Sequence, residues 1–310
     1  DYKETFVYLP FSDFLNVFYQ YGIYGVHVFY AISGFVFAHV YLSKEKLITS
    51  REFFLNRFAR LYPLHFATLI IITILQYISL FHFKSFQIVE FNDLYHFFLH
   101  LFFVSSWGFE QGHSFNAPIW SVSIEIAIYI IFFSTLSLLR RYKFIFVIIL
   151  SIFLILLAKI FNIESLFLEC ARLFFSGVIV YLITTYFNKP KILILISLIM
   201  IAASFVGNYK TYLFCPFAVL LFSQIDYFIK TKSIQNLFSS LGDLTYSIYL
   251  IHVPLQILII INFDIFNLSE TVYATKTFFI FFMILLMIIS YFCFLKYEKP
   301  LNYKIRKKFK

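Results

Sequence analysis

Nine stretches of this chain are apolar, uncharged except for one glutamate, and close to the ~17–25 residues that a helix needs to cross a bilayer. They run Gly22–Leu42, Leu61–Phe81, Ile119–Leu139, Phe144–Ala158, Leu173–Phe187, Ile192–Val206, Tyr212–Ile225, Leu244–Ile261 and Thr277–Leu295, with short charged turns between them. A membrane barrel would show shorter segments alternating polar and apolar. The pattern therefore predicts an all-α, polytopic integral membrane protein with about nine transmembrane helices. Composition agrees. With 61% hydrophobic residues, 13% charged residues and a mean hydropathy of +0.85, the bilayer must act as the solvent. Phe144–Ala158, Ile192–Val206 and Tyr212–Ile225 are near or below the lower length limit, so flanking residues extend them or the bilayer thins.

Positive charge alternates from turn to turn. One set of turns holds Lys44, Lys46, Arg51, Arg57 and Arg60, then Arg140, Arg141 and Lys143, then Lys189 and Lys191, then Lys230 and Lys232, and finally the basic tail 296–310, 19 residues in all. The other set holds only Lys3, Lys84, Lys159, Arg172, Lys210 and Lys276. The positive-inside rule puts the first set and the C-terminus in the cytoplasm, and Asp1 outside. Topology thus accounts for the +9 formal charge, and nucleic acid is not a partner. An outside N-terminus with nothing to carry it across predicts a further helix upstream of Asp1, making ten.

The segment Tyr95–Val104 is apolar but short and contains His96 and His100, so it reads as re-entrant or interfacial. The longest polar interval, His82 to Pro118, leaves no room for a soluble domain. The chain is one membrane domain over 1–310. Cys170, Cys215 and Cys293 are widely spaced, without metal-ligand or CxxC spacing, so neither a metal site nor a disulfide framework is expected.

Polar residues inside the spans carry the functional signal. Glu125 is the sharpest, because an ionisable group near a helix centre costs roughly 2.5–3.5 kcal/mol on insertion scales. Ser121, Glu125 and Tyr129 recur every four residues on one helix face. Gly25, Phe29 and Ser33 do the same on the first span, with Gly34 beside Ser33, a pattern that helix packing through small residues also explains. His27 lies near the outer interface. Arg57 and Arg60 stand one turn apart at the inner surface, where they are either topology anchors or a pair of guanidinium forks for phosphates. Thr245, Tyr249 and His252 share a face, with Pro254 following; His252 could be a packed residue or a proton acceptor. At ~1.5 Å per residue, His252 is roughly 12 Å in, Ser33 near mid-bilayer and Glu125 roughly 9 Å from the outer surface. If these faces converge, a polar path crosses the membrane.

The segments GVHVFYAISGF (25–35), RFARLYP (57–63), WSVSIE (120–125) and LTYSIYLIH (244–252), in this order, resemble the bacterial membrane acyltransferases of the acyltransferase type 3 family. The resemblance covers most of the chain. It implies an inner-membrane enzyme that acylates, most often acetylates, a glycan or lipid-linked saccharide, using cytoplasmic acyl-CoA (acetyl-CoA) as donor and no bound cofactor. The family's RxxR motif matches Arg57 and Arg60, its SGF motif Ser33, Gly34 and Phe35, and its WS…E motif Trp120, Ser121 and Glu125. Its SYSIYL-type segment matches Tyr246 to His252, including Tyr249. Glu125, His252 and Ser33 are the expected catalytic residues, with Arg57 and Arg60 binding acyl-CoA. Members also carry an arginine and a histidine, the favoured base, on the helix before the SGF helix; this chain begins after that point. An acyl-enzyme at Ser33 lacks support, since no base is identifiable beside it. A lipid-linked glycan transporter or flippase would also need a polar path, but with more intramembrane charge, broken helices and corresponding halves.

Overall fold

The computed structural model describes residues 9–43, 48–160, 166–206, 210–225, 228–229 and 231–309. The expectations for Asp1, Lys3, Lys44, Lys46, Lys230 and Lys310 fall outside the described residues. All regular structure among the described residues is helical. In chain order the α-helices are α1 (Ser12–Tyr21), α2 (Ile23–Leu42), α3 (Ser50–Phe83), α4 (Leu94–Leu101), α5 (Ile119–Ile160) and α6 (Leu166–Tyr186). There follow α7 (Pro190–Ser204), α8 (Lys210–Ile225), α9 (Lys232–Ile265), α10 (Lys276–Cys293) and α11 (Lys299–Phe309). A π-helical turn, Phe294–Glu298, carries α10 into α11, so the described part of the basic tail is helical to Phe309.

Among the described residues six helical runs are long and apolar enough to cross a membrane: α2, α3, α5, α6, α9 and Lys276–Phe309. The sequence count of nine differs for two physical reasons. Helices α7 and α8 have 15 and 16 residues, short for an unaided crossing. Two of the apolar runs also fall in the one long helix α5, whose backbone breaks at Lys143 (φ 43, ψ −115), in the turn between them. The Tyr95–Val104 segment overlaps the eight-residue α4, too short to span.

Local chemistry sets the ends. Thr49 Oγ1 accepts the Glu52 amide at 3.2 Å and starts α3, while Asp93 Oδ1 accepts the His96 amide at 2.9 Å and starts α4. Lys84, in the left-handed region at φ 61, closes α3.

The chain divides into two compact units, one formed by Asp1–Gln20, Thr49–Ser123 and Leu237–Lys310, the other by Tyr21–Ile48 and Ile124–Asn236. In the first unit α3 and α9 share a core of Leu69, Ile72, Val253, Ile257 and Ile261, with Phe115 from the preceding loop of α5. Pro254 inside α9 has no amide hydrogen to give Leu250, and the Asn116 Nδ2 donates to that carbonyl instead, at 3.0 Å.

In the second unit α2 and α6 meet through glycines. A Cβ on Gly34 would collide with the Phe174 carbonyl, and one on Gly177 with the Ala31 carbonyl. Only glycine allows the backbones this close. Beside this contact Phe37 stacks on Tyr129 at 4.2 Å and meets Phe132 and Phe174 edge-on. The Arg140 guanidinium donates to the Tyr41 carbonyl at 2.8 Å, satisfying the end of α2. This packing revises the expected face of the first span. Gly25 and Phe29 are exposed, and the buried stripe is His27, Tyr30, Gly34, Phe37 and Tyr41, because Gly34 must face α6.

Candidate active site

In the second unit α2 delivers Ser33 and α5 delivers Glu125 and Tyr129 to one place. Ser33 Oγ donates to Glu125 Oε1 at 2.6 Å and lies 3.3 Å from the Tyr129 hydroxyl. Glu125 is 2% exposed. Burying a carboxyl group is costly unless it is hydrogen-bonded, and the Ser33 hydroxyl supplies one such bond. The expectation that Ser33 has no base beside it is therefore corrected: Glu125 is that neighbour. The two contacts come from residues 92 and 96 positions apart, so the spacing of motifs could not reveal them. Gly34 is used for packing, and Phe35 sets its ring edge-on to Tyr181 at 5.9 Å.

In the first unit Arg57 and Arg60 are half-buried on the first turns of α3. The adjoining backbone is held from two sides, as the Tyr246 hydroxyl donates to the Leu61 carbonyl at 2.7 Å and the Tyr297 hydroxyl to the Pro63 carbonyl at 3.2 Å. Glu298, on the π turn, lies within electrostatic reach of Arg60 and accepts the Ser247 hydroxyl at 2.6 Å on Oε2. Its Oε1 is buried and meets no hydrogen-bond partner among the described residues. Sequence reasoning missed both Glu298 and Ser247. The available signal was a lone acid among the tail's basic residues, directly after an apolar run.

The remaining expected residues also fall in the first unit. Ser121 Oγ is 2.8 Å from the Tyr249 hydroxyl, and both donate to the Pro118 carbonyl, at 3.1 and 3.0 Å. This ties the start of α5 to α9. Trp120 is half-buried beside them on α5. His252, half-buried, turns its ring back toward the backbone of Ile248 and Tyr249 on its own helix. Thr245 departs from the expected stripe. It is exposed and its hydroxyl donates to Gly242, while Leu244, Ser247 and Ile251 are the buried positions.

A further polar cluster was not anticipated. The His65 ring, fully buried, donates from Nε2 to the His100 carbonyl at 2.8 Å, and His100 Nε2 lies 2.9 Å from Ser114 Oγ. Burial, with His65 and His96 nearby, pushes the His100 pKa down to about 3, so the ring is neutral. Phe103 and Phe115, both with positive φ, set their rings against His65 and His100. The signal was His65 itself, eight residues after Arg57 and thus on the same face of α3.

No three His, Cys, Asp or Glu side chains gather among the described residues in a way that could hold a metal, and the three cysteines are free. A cavity of about 490 Å³ in the first unit is lined mostly by apolar side chains, among them Ile259, Ile260, Phe278 and Phe282.

A family model described as an acyltransferase domain, type 3, matches residues 4–295. No curated protein and no solved structure matches the chain.

Proposed function

Because this chain belongs to the acyltransferase type 3 family, we propose that it is a membrane O-acyltransferase moving an acetyl group from cytoplasmic acetyl-CoA to a hydroxyl of a surface or lipid-linked glycan. The observation that carries the reading is the buried Ser33–Glu125 hydrogen bond inside a chain whose family match is nearly complete. A carboxylate with a hydroxyl at 2.6 Å can hold or pass a proton as an acyl group changes partners. Arg57 and Arg60 bind the donor phosphates through planar forks, and Glu298, fixed by Ser247, keeps the guanidinium of Arg60 turned toward them. His252, on α9, passes protons on the donor side.

The reading includes about nine transmembrane helices in a bacterial inner membrane. The Lys44–Arg60 turn and the C-terminal tail are cytoplasmic, and Glu90–His113 faces outside. A membrane-impermeant thiol reagent on intact cells should label Gln111→Cys and leave Lys307→Cys untouched; the opposite pattern reverses the topology. Function is tested by supplying radiolabelled acetyl-CoA to membranes carrying the full-length protein. Label should appear in membrane glycan. Its absence, with glycan moved across the bilayer instead, would identify a flippase.

A further inference from the structure

The family match ends at residue 295, and the most basic stretch of the chain follows it. A cytoplasmic tail needs charge to set topology, but it does not need a fold. This tail is folded. The π turn puts the Tyr297 hydroxyl on the Pro63 carbonyl and Glu298 within electrostatic reach of Arg60. From there α11 continues away from the spans, packed against α3, so the contact falls on the turns of α3 before Arg60. Along this helix pair Arg51, Arg57, Arg60, Lys296, Lys299, Lys304, Arg306, Lys307 and Lys308 stand against two acids, Glu52 and Glu298. Glu298 is already engaged by Ser247. The field of the pair is strongly positive, which suits a polyanion.

The residues of α11 divide by face. Leu301, Asn302 and Ile305 are half-buried and form the side that packs on α3. Arg306, also half-buried, lies at the edge of that side, one turn after Asn302, which places it at the seam of the two helices. Tyr303, three residues before Arg306, is 66% exposed. Lys299 and Lys307 stand four residues to either side of Tyr303 and share its exposed face. At ~1.5 Å per residue, Arg306 stands roughly 12 Å beyond Glu298, and Arg57 roughly 4.5 Å beyond Arg60. The levels of Arg57 and Arg306 therefore differ by roughly 7 Å.

We propose that α11 binds the adenosine 3′-phosphate end of the acyl-CoA donor: Arg306, aided by Lys307, takes the 3′-phosphate, and the adenine ring lies on Tyr303. The inference rests on the acyl-transfer reading above and extends its donor site beyond Arg57 and Arg60. Those two hold the diphosphate, from which a single ribose separates the 3′-phosphate. A phosphate monoester offers several acceptor oxygens and close to two charges, so a guanidinium fork fits it. An aromatic ring with an open face stacks a base without needing a closed pocket. An anionic lipid headgroup offers the same phosphate chemistry, but Arg306 lies more than two helical turns past Glu298, on the side away from the spans.

The test follows label transfer to membrane glycan by the full-length protein, with acetyl-CoA or with acetyl-dephospho-CoA, which lacks only the 3′-phosphate. In the wild type the KM for acetyl-dephospho-CoA should be about 10-fold the higher, at similar kcat. Arg306→Gln should raise the acetyl-CoA KM about 10-fold and leave the other unchanged, so that the two donors become equal. Lys307→Gln should act in the same sense, by about 3-fold. Tyr303→Ala should raise both KM values about 5-fold or more, and Tyr303→Phe should restore them, because the ring and not the hydroxyl is used. Equal KM values in the wild type overturn the inference, and so does Arg306→Gln if it raises both alike. If that variant does not accumulate, the exposed Lys307 decides by the same criterion. In nanodiscs of phosphatidylcholine alone the wild type should still discriminate; loss of discrimination there assigns α11 to anionic headgroups and overturns the inference. Absence of transfer from either donor overturns the acyl-transfer reading instead.

Discussion

Glu125 and Glu298 are each 2% exposed and each accept a serine hydroxyl at 2.6 Å, yet they sit in different chemical company. Glu125, in the second unit, shares Ser33 with the Tyr129 hydroxyl on an apolar helix. Glu298, in the first, sits on a π turn beside Arg60 in a stretch rich in lysine. A serine–carboxylate pair among hydroxyls is suited to handling a proton. The same pair beside a guanidinium is suited to holding a cation in place. π turns of this kind are frequent at functional sites.

The comparison breaks most visibly at Glu125. Glu125→Gln keeps shape and hydrogen-bonding capacity but removes titration, and is expected to cut acyl transfer by about 100-fold or more with normal protein levels. Glu298→Gln should instead raise the donor KM by about 10-fold and leave kcat nearly unchanged, and Arg60→Lys should follow it, since the charge stays and the fork is lost. Steady-state kinetics in membranes reads both. Equal losses of kcat in the two glutamine variants would erase the distinction drawn here.

An exposed carboxylate gives the smallest effect and a useful contrast. Asp93 is held below the usual carboxylate range first by the His96 amide and then by the His96 ring. A lowered folded pKa means that the cap's contribution is present above the unfolded value, about 4, and is lost as pH falls through the folded one. Hydrogen exchange in the first turn of α4 should accelerate slightly over that acid window. In Asp93→Asn the acceleration should vanish; its persistence would assign it to another group.

What could be read in advance follows from range. Glu125 stood out because an acid in an apolar run is legible from its immediate neighbours, and the break at Lys143 was marked by the charged turn Arg140–Lys143. Glu298 was hidden because one acid among basic residues looks like ordinary surface. Ser247 was missed through a register choice on α9, where the stripe of Thr245, Tyr249 and His252 is adjacent to the one that is buried. Asn116 needed two facts at once, a missing amide at Pro254 and a contact 134 residues away. His27 was legible as a residue but not as a partner of Glu169, since nothing local links α2 to α6.

That link has a mechanical side. With Gly34 against the Phe174 carbonyl and Gly177 against the Ala31 carbonyl, α2 and α6 have no clearance in which to slide or roll. They turn as one lever, and Ser33 and His27 travel together with Glu169. Any catalytic cycle that opens and closes this unit must therefore flex at softer joints, of which the broken helical ladder at Lys143 is one.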